Sequence, residues 1–261
     1  MERTTTLAVH EKRPLSYRAA VFGFGVLAYA LGVFAFAVLI AAMLGVLPFT
    51  GGPIGPLSLG PALAFDLSLL VAFALQHSVM ARPAFKRRFT RVVPVSIERS
   101  SYLLGTAVTL LPLLLLWQPM PTVVWAVEPP ALRGLLLGVA LTGWAYLLTA
   151  SFAISHFELF GLQQVYRVFR NRPQTQTSFQ VRWMYRFDRH PIMTGILIGV
   201  WVTATMTLDH LLFAIGITVY MWIGVHFEER SLRRELGRPY EEYCERVRSV
   251  VPTLKHRRAR F

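Results

Sequence analysis

Charge is scarce in this sequence. Only 16% of its 261 residues are charged, where a soluble domain carries about 25%, and just 14 residues are acidic. One cysteine is present, Cys244, so no disulfide framework can form within the chain and a reducing compartment suits it. Histidines, cysteines and carboxylates nowhere recur at zinc-like spacing, which predicts no metal. No internal repeat or low-complexity tract breaks the chain, and residues 1–261 read as one domain.

Apolar length is abundant. Hydrophobic residues make up 54% of the chain and gather in long blocks rather than alternating, the pattern of membrane spans. A span needs roughly 20 mostly apolar residues, and blocks at about 19–47, 61–81, 101–118 and 132–154 meet that test. Two shorter blocks, 191–206 and 211–227, flank the break Thr207-Leu208-Asp209-His210. The pattern predicts an all-α, polytopic membrane helical bundle of about six transmembrane helices, the last two forming a tight hairpin. Residues 227–248 keep helical spacing with strong charge, predicting a C-terminal cytoplasmic helix that folds back near Gly237.

The net charge of +13 invites a nucleic-acid partner, but its distribution argues for a lipid bilayer instead. Four basic residues precede the first block, six lie at 82–99, six at 155–190 and ten after Phe227. The intervening loops hold one, Arg133, so 26 of 27 fall on one side of a six-span arrangement. The positive-inside rule then puts both termini in the cytoplasm of a bacterial inner membrane. The first apolar block is far longer than a signal-peptide core and reads as a retained helix.

Within this frame, several features read as structural. Gly134 and Gly138, and again Gly195 and Gly199, have the small-xxx-small spacing that lets helices approach closely. Trp117 and Trp125 bracket an outer loop, as interfacial tryptophans do. Asp66 reads as a pairing group within the bundle, and Asp209 and His210 as caps of the hairpin turn. Residues 162–189 are mixed aromatic and basic, an interfacial loop with one amphipathic helix.

Polar residues at membrane depth are costly and mark function, and here they collect at the cytoplasmic ends of the spans. They include Gln76 and His77, Glu98 and Tyr102, His156 and Glu158, Arg189-His190-Pro191, and His226 with Glu228 and Glu229. Pro191 suits the first turn of a helix, where its missing N–H costs nothing, which makes His190 the N-cap. The pair Glu228-Glu229 closes the next helix beside it.

The string Arg189-His190-Pro191, Gly195, Glu228-Glu229, Gly237, Tyr240, Tyr243 and Pro252 resembles the C-terminal signature of integral membrane methyltransferases. That group includes isoprenylcysteine carboxyl methyltransferases, bacterial phospholipid methyltransferases and NnrU-like proteins. Three further stretches are similar to bacterial methanethiol S-methyltransferases: 75–83 around Gln76-His77-Ser78, Ile97-Glu98-Arg99-Ser100, and 156–165 beginning His156-Phe157-Glu158. Residues 201–213 extend that likeness. In the wider family a tyrosine stands two residues after the proline of the RHP motif; here that position is Met193, and no role is carried to it.

The resemblance implies an enzyme that converts methanethiol, or a similar small thiol, to dimethyl sulfide with S-adenosyl-L-methionine. It implies that residues 181–252 form the cofactor module, with Tyr185, His190, Pro191, Glu228 and Tyr240 around S-adenosylmethionine. Glu229 could share the work of Glu228 or pair with Arg230 and Arg233. A thiol is mostly protonated at neutral pH and the thiolate is the nucleophile, so a base is needed. His77 and His156 are the candidate bases, with Glu158 as a base or as an orienter of a histidine. Two other readings remain open: methylation of a lipid amine or prenylated cysteine, and a non-catalytic NnrU-like membrane protein.

Overall fold

The computed structural model describes residues 13–174 and 181–250. Its helices are α1 (Leu15–Met43), α2 (Leu59–Ala81), α3 (Pro83–Phe89) and α4 (Glu98–Leu115), followed by the short strand β1 (Val123–Ala126). Next come α5 (Pro130–Ala153), α6 (His156–Leu159), α7 (Leu162–Phe169) and α8 (Pro191–Trp201). Strand β2 (Thr205–Thr207), α9 (Leu208–Leu236) and α10 (Arg238–Arg246) complete the order.

Four helices, α1, α2, α5 and α9, are long and apolar enough to cross a membrane. Only 22–33% of the most apolar stretch of each is buried within the protein. Leu27, Phe34, Val71, Leu135 and Trp222 face outward. So much exposed apolar surface would aggregate in water; against acyl chains it costs nothing. Helix α8, at 11 residues, is about 16 Å long by its rise, shorter than the hydrocarbon core.

The expected span at 191–206 therefore stops early, at Trp201. Beyond it the chain turns into β2, which pairs antiparallel with β1, matching Val123 to Thr207 and Ala126 to Thr205. This clip satisfies backbone groups that a longer helix would have satisfied internally. Asp209 ties it to the bundle: its carboxylate accepts from the Met120 N–H at 3.0 Å and the His210 N–H at 2.7 Å, and from the Thr207 hydroxyl. Trp117 donates to the Asp209 carbonyl and is fully buried against Phe213. It is therefore a core residue and not the interfacial tryptophan expected. Asp66, also buried, accepts from the Gln118 N–H at 2.9 Å, the structural pairing role its position implies.

The helices form a ring. Helix α1 packs on α4, α4 on α2, α2 on α9, α9 on α8 and α8 on α5, and Phe36 against Trp144 joins α1 to α5. The α5–α8 seam is the tightest. A Cβ on Gly195 would lie 2.6 Å from the Gly143 carbonyl, and one on Gly199 would lie 2.4 Å from Trp144. Gly134 and Gly138 meet nothing within 4 Å, so the expected close contact there is absent; the partner glycine on α5 is Gly143. Gly195→Ala is expected to destabilise the protein by about 1–3 kcal/mol through overpacking. Gly138→Ala is expected to be neutral or slightly stabilising. Paired melting curves in detergent check both, and equal midpoints for the two variants would contradict the seam.

Amphipathic α7 lies along α1, with Val165 filling the space beside Gly25 and Phe22 stacked on Phe169 at 5.0 Å. Arg99 and Gln164 both donate to the Glu158 carbonyl, at 2.9 and 3.1 Å, fastening the α6–α7 segment to the start of α4.

Candidate functional site

The ends of α2, α4, α5, α8 and α9 away from the β1–β2 clip carry the polar side chains singled out in the sequence. His190 is the N-cap of α8 and Pro191 its first residue. The backbone of Arg189 and His190 is held by three bonds. The His190 N–H donates to the Asp188 carboxylate at 2.9 Å and to the Ser249 carbonyl at 3.1 Å, and the Arg189 N–H donates to the Arg248 carbonyl. The chain after α10 thus crosses directly beneath α8. Asp188 is fully buried, and burial pushes its carboxyl above the usual aspartate range despite the His190 N–H.

The two neighbouring glutamates have different surroundings. Glu229 accepts two bonds from Arg189, at 3.0 and 2.5 Å, one from Ser249 at 2.9 Å, and lies 3.2 Å from His190 Nε2. Arg189 also donates to the Cys244 and Val247 carbonyls at 3.1 and 2.8 Å. Glu229 and Arg189 are nearly buried, at 15% and 7% side-chain exposure, and form a structural hub between α8, α9 and α10. Glu229 pairs with Arg233 at 3.6 Å, one of the two arginines expected.

Glu228 is 49% exposed and lies 3.6 Å from His190 Nδ1. It is nevertheless surrounded: its charge acts on the hydroxyls of Tyr102, Tyr185 and Tyr240. Half open to solvent and within electrostatic range of three tyrosine hydroxyls, Glu228 marks an acidic recess at this end of the ring. Burial and the Glu228 charge push the Tyr185 hydroxyl above its usual value, which keeps it a neutral donor. Tyr240 is buried beside Tyr243, Cys244 and Val247, and Tyr243 donates to the Tyr185 carbonyl. Tyr240 therefore supports the recess from behind.

His77 and His156 occupy matching settings in different gaps of the ring. His77 Nδ1 lies 3.0 Å from Thr106 Oγ1 and its Nε2 lies 2.7 Å from Tyr102 Oη. The Thr106 hydroxyl gives its one proton to the Tyr102 carbonyl, so it accepts from His77 Nδ1–H. That fixes the neutral tautomer, with Nε2 accepting from the Tyr102 O–H. At His156, Ser151 gives its proton to the Leu148 carbonyl and accepts from Nδ1, while the Tyr29 O–H faces Nε2 at 2.8 Å. His156 is buried, stacked on Phe152 at 4.3 Å, and burial lowers its pKa.

The structure thus brings Tyr185, His190, Glu228 and Glu229 together, and sets the His77–Tyr102 pair within reach of Glu228. It places His156 between α1 and α5, engaged with Tyr29 and Ser151. The Glu158 carbonyl accepts from Arg99 and Gln164. Sequence reasoning passed over Tyr29, Thr106, Ser151, Asp188 and Ser249. Only Thr106, four residues after Tyr102 on one helix face, offered a signal. Pro252, the last residue of the signature, lies outside the described residues.

A cavity of about 660 Å³ opens at the clip end, lined by Phe49, Arg133, Thr203, Asp209 and His210 among others. Its two buried polar side chains are already engaged, Asp209 as above and His210 with the Val200 carbonyl at 2.8 Å.

Membrane-length helices, with histidine–tyrosine pairs and an arginine-braced acidic recess gathered at one end of the ring, mark an integral membrane protein with its polar side chains concentrated at that end. Comparison with known proteins narrows this. The chain is 50% identical over 194 residues to the methanethiol S-methyltransferase of Mycobacterium tuberculosis, covering 74% of this chain and 80% of that protein. It is 41% identical over 241 residues to the methanethiol S-methyltransferase of a Pseudomonas species, covering 90% and 92%. Nurim of Rattus norvegicus is 31% identical over 226 residues, covering 80% and 86%. The chain belongs to the methanethiol S-methyltransferase family. No family model matches it, and no solved structure does.

Proposed function

We propose that this chain methylates methanethiol to dimethyl sulfide, with S-adenosyl-L-methionine as methyl donor. The observation that carries the reading is 41% identity sustained over 92% of a methanethiol S-methyltransferase. Nurim matches at a lower identity, 31%. Six spans, with both termini and the C-terminal helix on the cytoplasmic side of a bacterial inner membrane, fit the basic residues' one-sided distribution.

The recess suits the donor chemically. Glu228 offers an accessible carboxylate for ribose hydroxyls or an amino group, and Tyr185 offers a ring face and a neutral hydroxyl to a cation. His190, fixed by Asp188 and Glu229, borders them, while Pro191 and Tyr240 hold the recess in shape. Residues 181–252 form the module that binds the donor. When bound, S-adenosylmethionine supplies an electrophilic methyl group. The protein's own contribution is alignment, worth up to roughly 7–11 kcal/mol, exclusion of water and removal of the thiol proton. Of the candidate bases, His77 is favoured because its partner Tyr102 lies within electrostatic range of Glu228, whereas His156 sits between α1 and α5 with Tyr29 as its partner.

The test is purified protein in detergent with S-adenosylmethionine and methanethiol, headspace dimethyl sulfide being quantified against His190→Ala. Product from the parent chain and at least tenfold less from the variant is the expected result. Donor binding without product would reject the substrate, and neither binding nor product would reject the methyltransferase reading.

A further inference from the structure

We propose that Tyr102, through His77, is the group that takes the proton from the thiol. The inference rests on the reading of the chain as a thiol methyltransferase and names the proton path within that site. Three observations converge on it. Tyr102 Oη lies 2.7 Å from His77 Nε2, and the hydrogen-bond order from His77 Nδ1 to Thr106 and on to the Tyr102 carbonyl leaves Nε2 with a lone pair aimed at that hydroxyl. Phe73 stacks on the His77 ring at 5.5 Å and Tyr220 lies edge-on to it at 6.3 Å. With Nε2 engaged by the Tyr102 hydroxyl, a substrate proton reaches that nitrogen through Tyr102. The charged and titratable groups acting on Tyr102 are Tyr220 and Glu228 from α9 and Glu98 from its own helix, with His77 facing it from α2.

The step balances within these groups. The thiol S–H bond breaks as its proton bonds to Tyr102 Oη, while the Tyr102 proton moves to His77 Nε2. The electron pair stays on sulfur, Tyr102 ends neutral, and His77 becomes imidazolium with its Nδ1–H held by Thr106. After the thioether leaves, the proton returns by the same path to water. Tyr102 is the catalytic residue here because it touches the thiol, and His77 acts through it.

The experiment compares the parent chain with Tyr102→Phe and His77→Gln. It measures kcat/KM for methanethiol between pH 6.5 and 9.5 and S-adenosylmethionine affinity by calorimetry. Tyr102→Phe keeps the ring that packs on His77, so the fold is preserved. Its kcat/KM is expected to fall about 100-fold near neutral pH, the scale of general-base catalysis. The deficit is expected to shrink steadily as pH rises and the thiol ionises in solution, with donor affinity held within about twofold. His77→Gln is expected to show the same slope. A loss independent of pH, or one matched by an equal loss of donor affinity, overturns the proposal, as does full activity of Tyr102→Phe. If the parent chain makes no dimethyl sulfide, the methyltransferase reading fails first and takes the proton path with it.

Discussion

Arg189→Met is expected to lower the melting temperature by on the order of 10 °C and to abolish donor binding. The guanidinium fork closes two bonds on Glu229 and two more on the Cys244 and Val247 carbonyls, so one side chain staples α9 to the segment after α10. Removing it leaves a carboxylate of 15% exposure with Ser249, His190 and the more distant Arg233 in place of the two short guanidinium bonds. Breaking a buried pair from one side costs about 3–5 kcal/mol, and each kcal/mol moves the midpoint of a chain this size by roughly 2–4 °C. Arg189→Lys keeps the charge without the planar fork and is expected to fall between. Differential scanning fluorimetry in one detergent gives the ordering; a midpoint for Arg189→Met within a degree or two of the parent would refute the hub.

Glu228→Gln is expected to leave the melting curve unchanged and to weaken S-adenosylmethionine binding about 10- to 100-fold. The side chain is half exposed and lies 3.6 Å from His190, so little of the fold depends on it. A hydrogen bond to a charged group contributes about 1.5–3 kcal/mol, which sets the scale of the loss. Glutamine keeps the shape and one acceptor oxygen but not the charge. Calorimetric titration reads the affinity directly, and unchanged binding would move the donor away from this recess. Adjacent in sequence, the two glutamates should thus separate cleanly, one by stability and one by affinity.

Much of this arrangement was legible in the residues. Three of the four long apolar blocks become the membrane-length helices α1, α2 and α5, and the shorter block 211–227 falls within α9; backbone groups in lipid have no other partners. The block 101–118 becomes α4, which is not among the helices long and apolar enough to span. Pro191 starts α8 and Gly237, at φ 60°, ends α9, each for the local reason its chemistry gives. Pairings between distant segments were not legible. Strand β2 finds β1 about 80 residues earlier, and three residues of Thr-Met-Thr carry no signal of it. A small-xxx-small spacing at Gly134 and Gly138 marks a narrow stripe on a helix but not the direction it faces, and this stripe faces outward. At the site, histidines and carboxylates stood out by their cost at membrane depth. Tyr29, Thr106 and Ser151 did not, because hydroxyls are common in helices and gain meaning only from the imidazole opposite.

The chain's sole sulfhydryl, on Cys244, is 5% exposed and enclosed with Tyr240, Tyr243 and Val247 behind the recess. A catalyst for thiols that exposed its own would compete with its substrate, capturing it as a mixed disulfide under oxidation or accepting the methyl group itself. Here the packing that shapes the recess also removes that competitor, so the enzyme is protected from alkylation by its own chemistry.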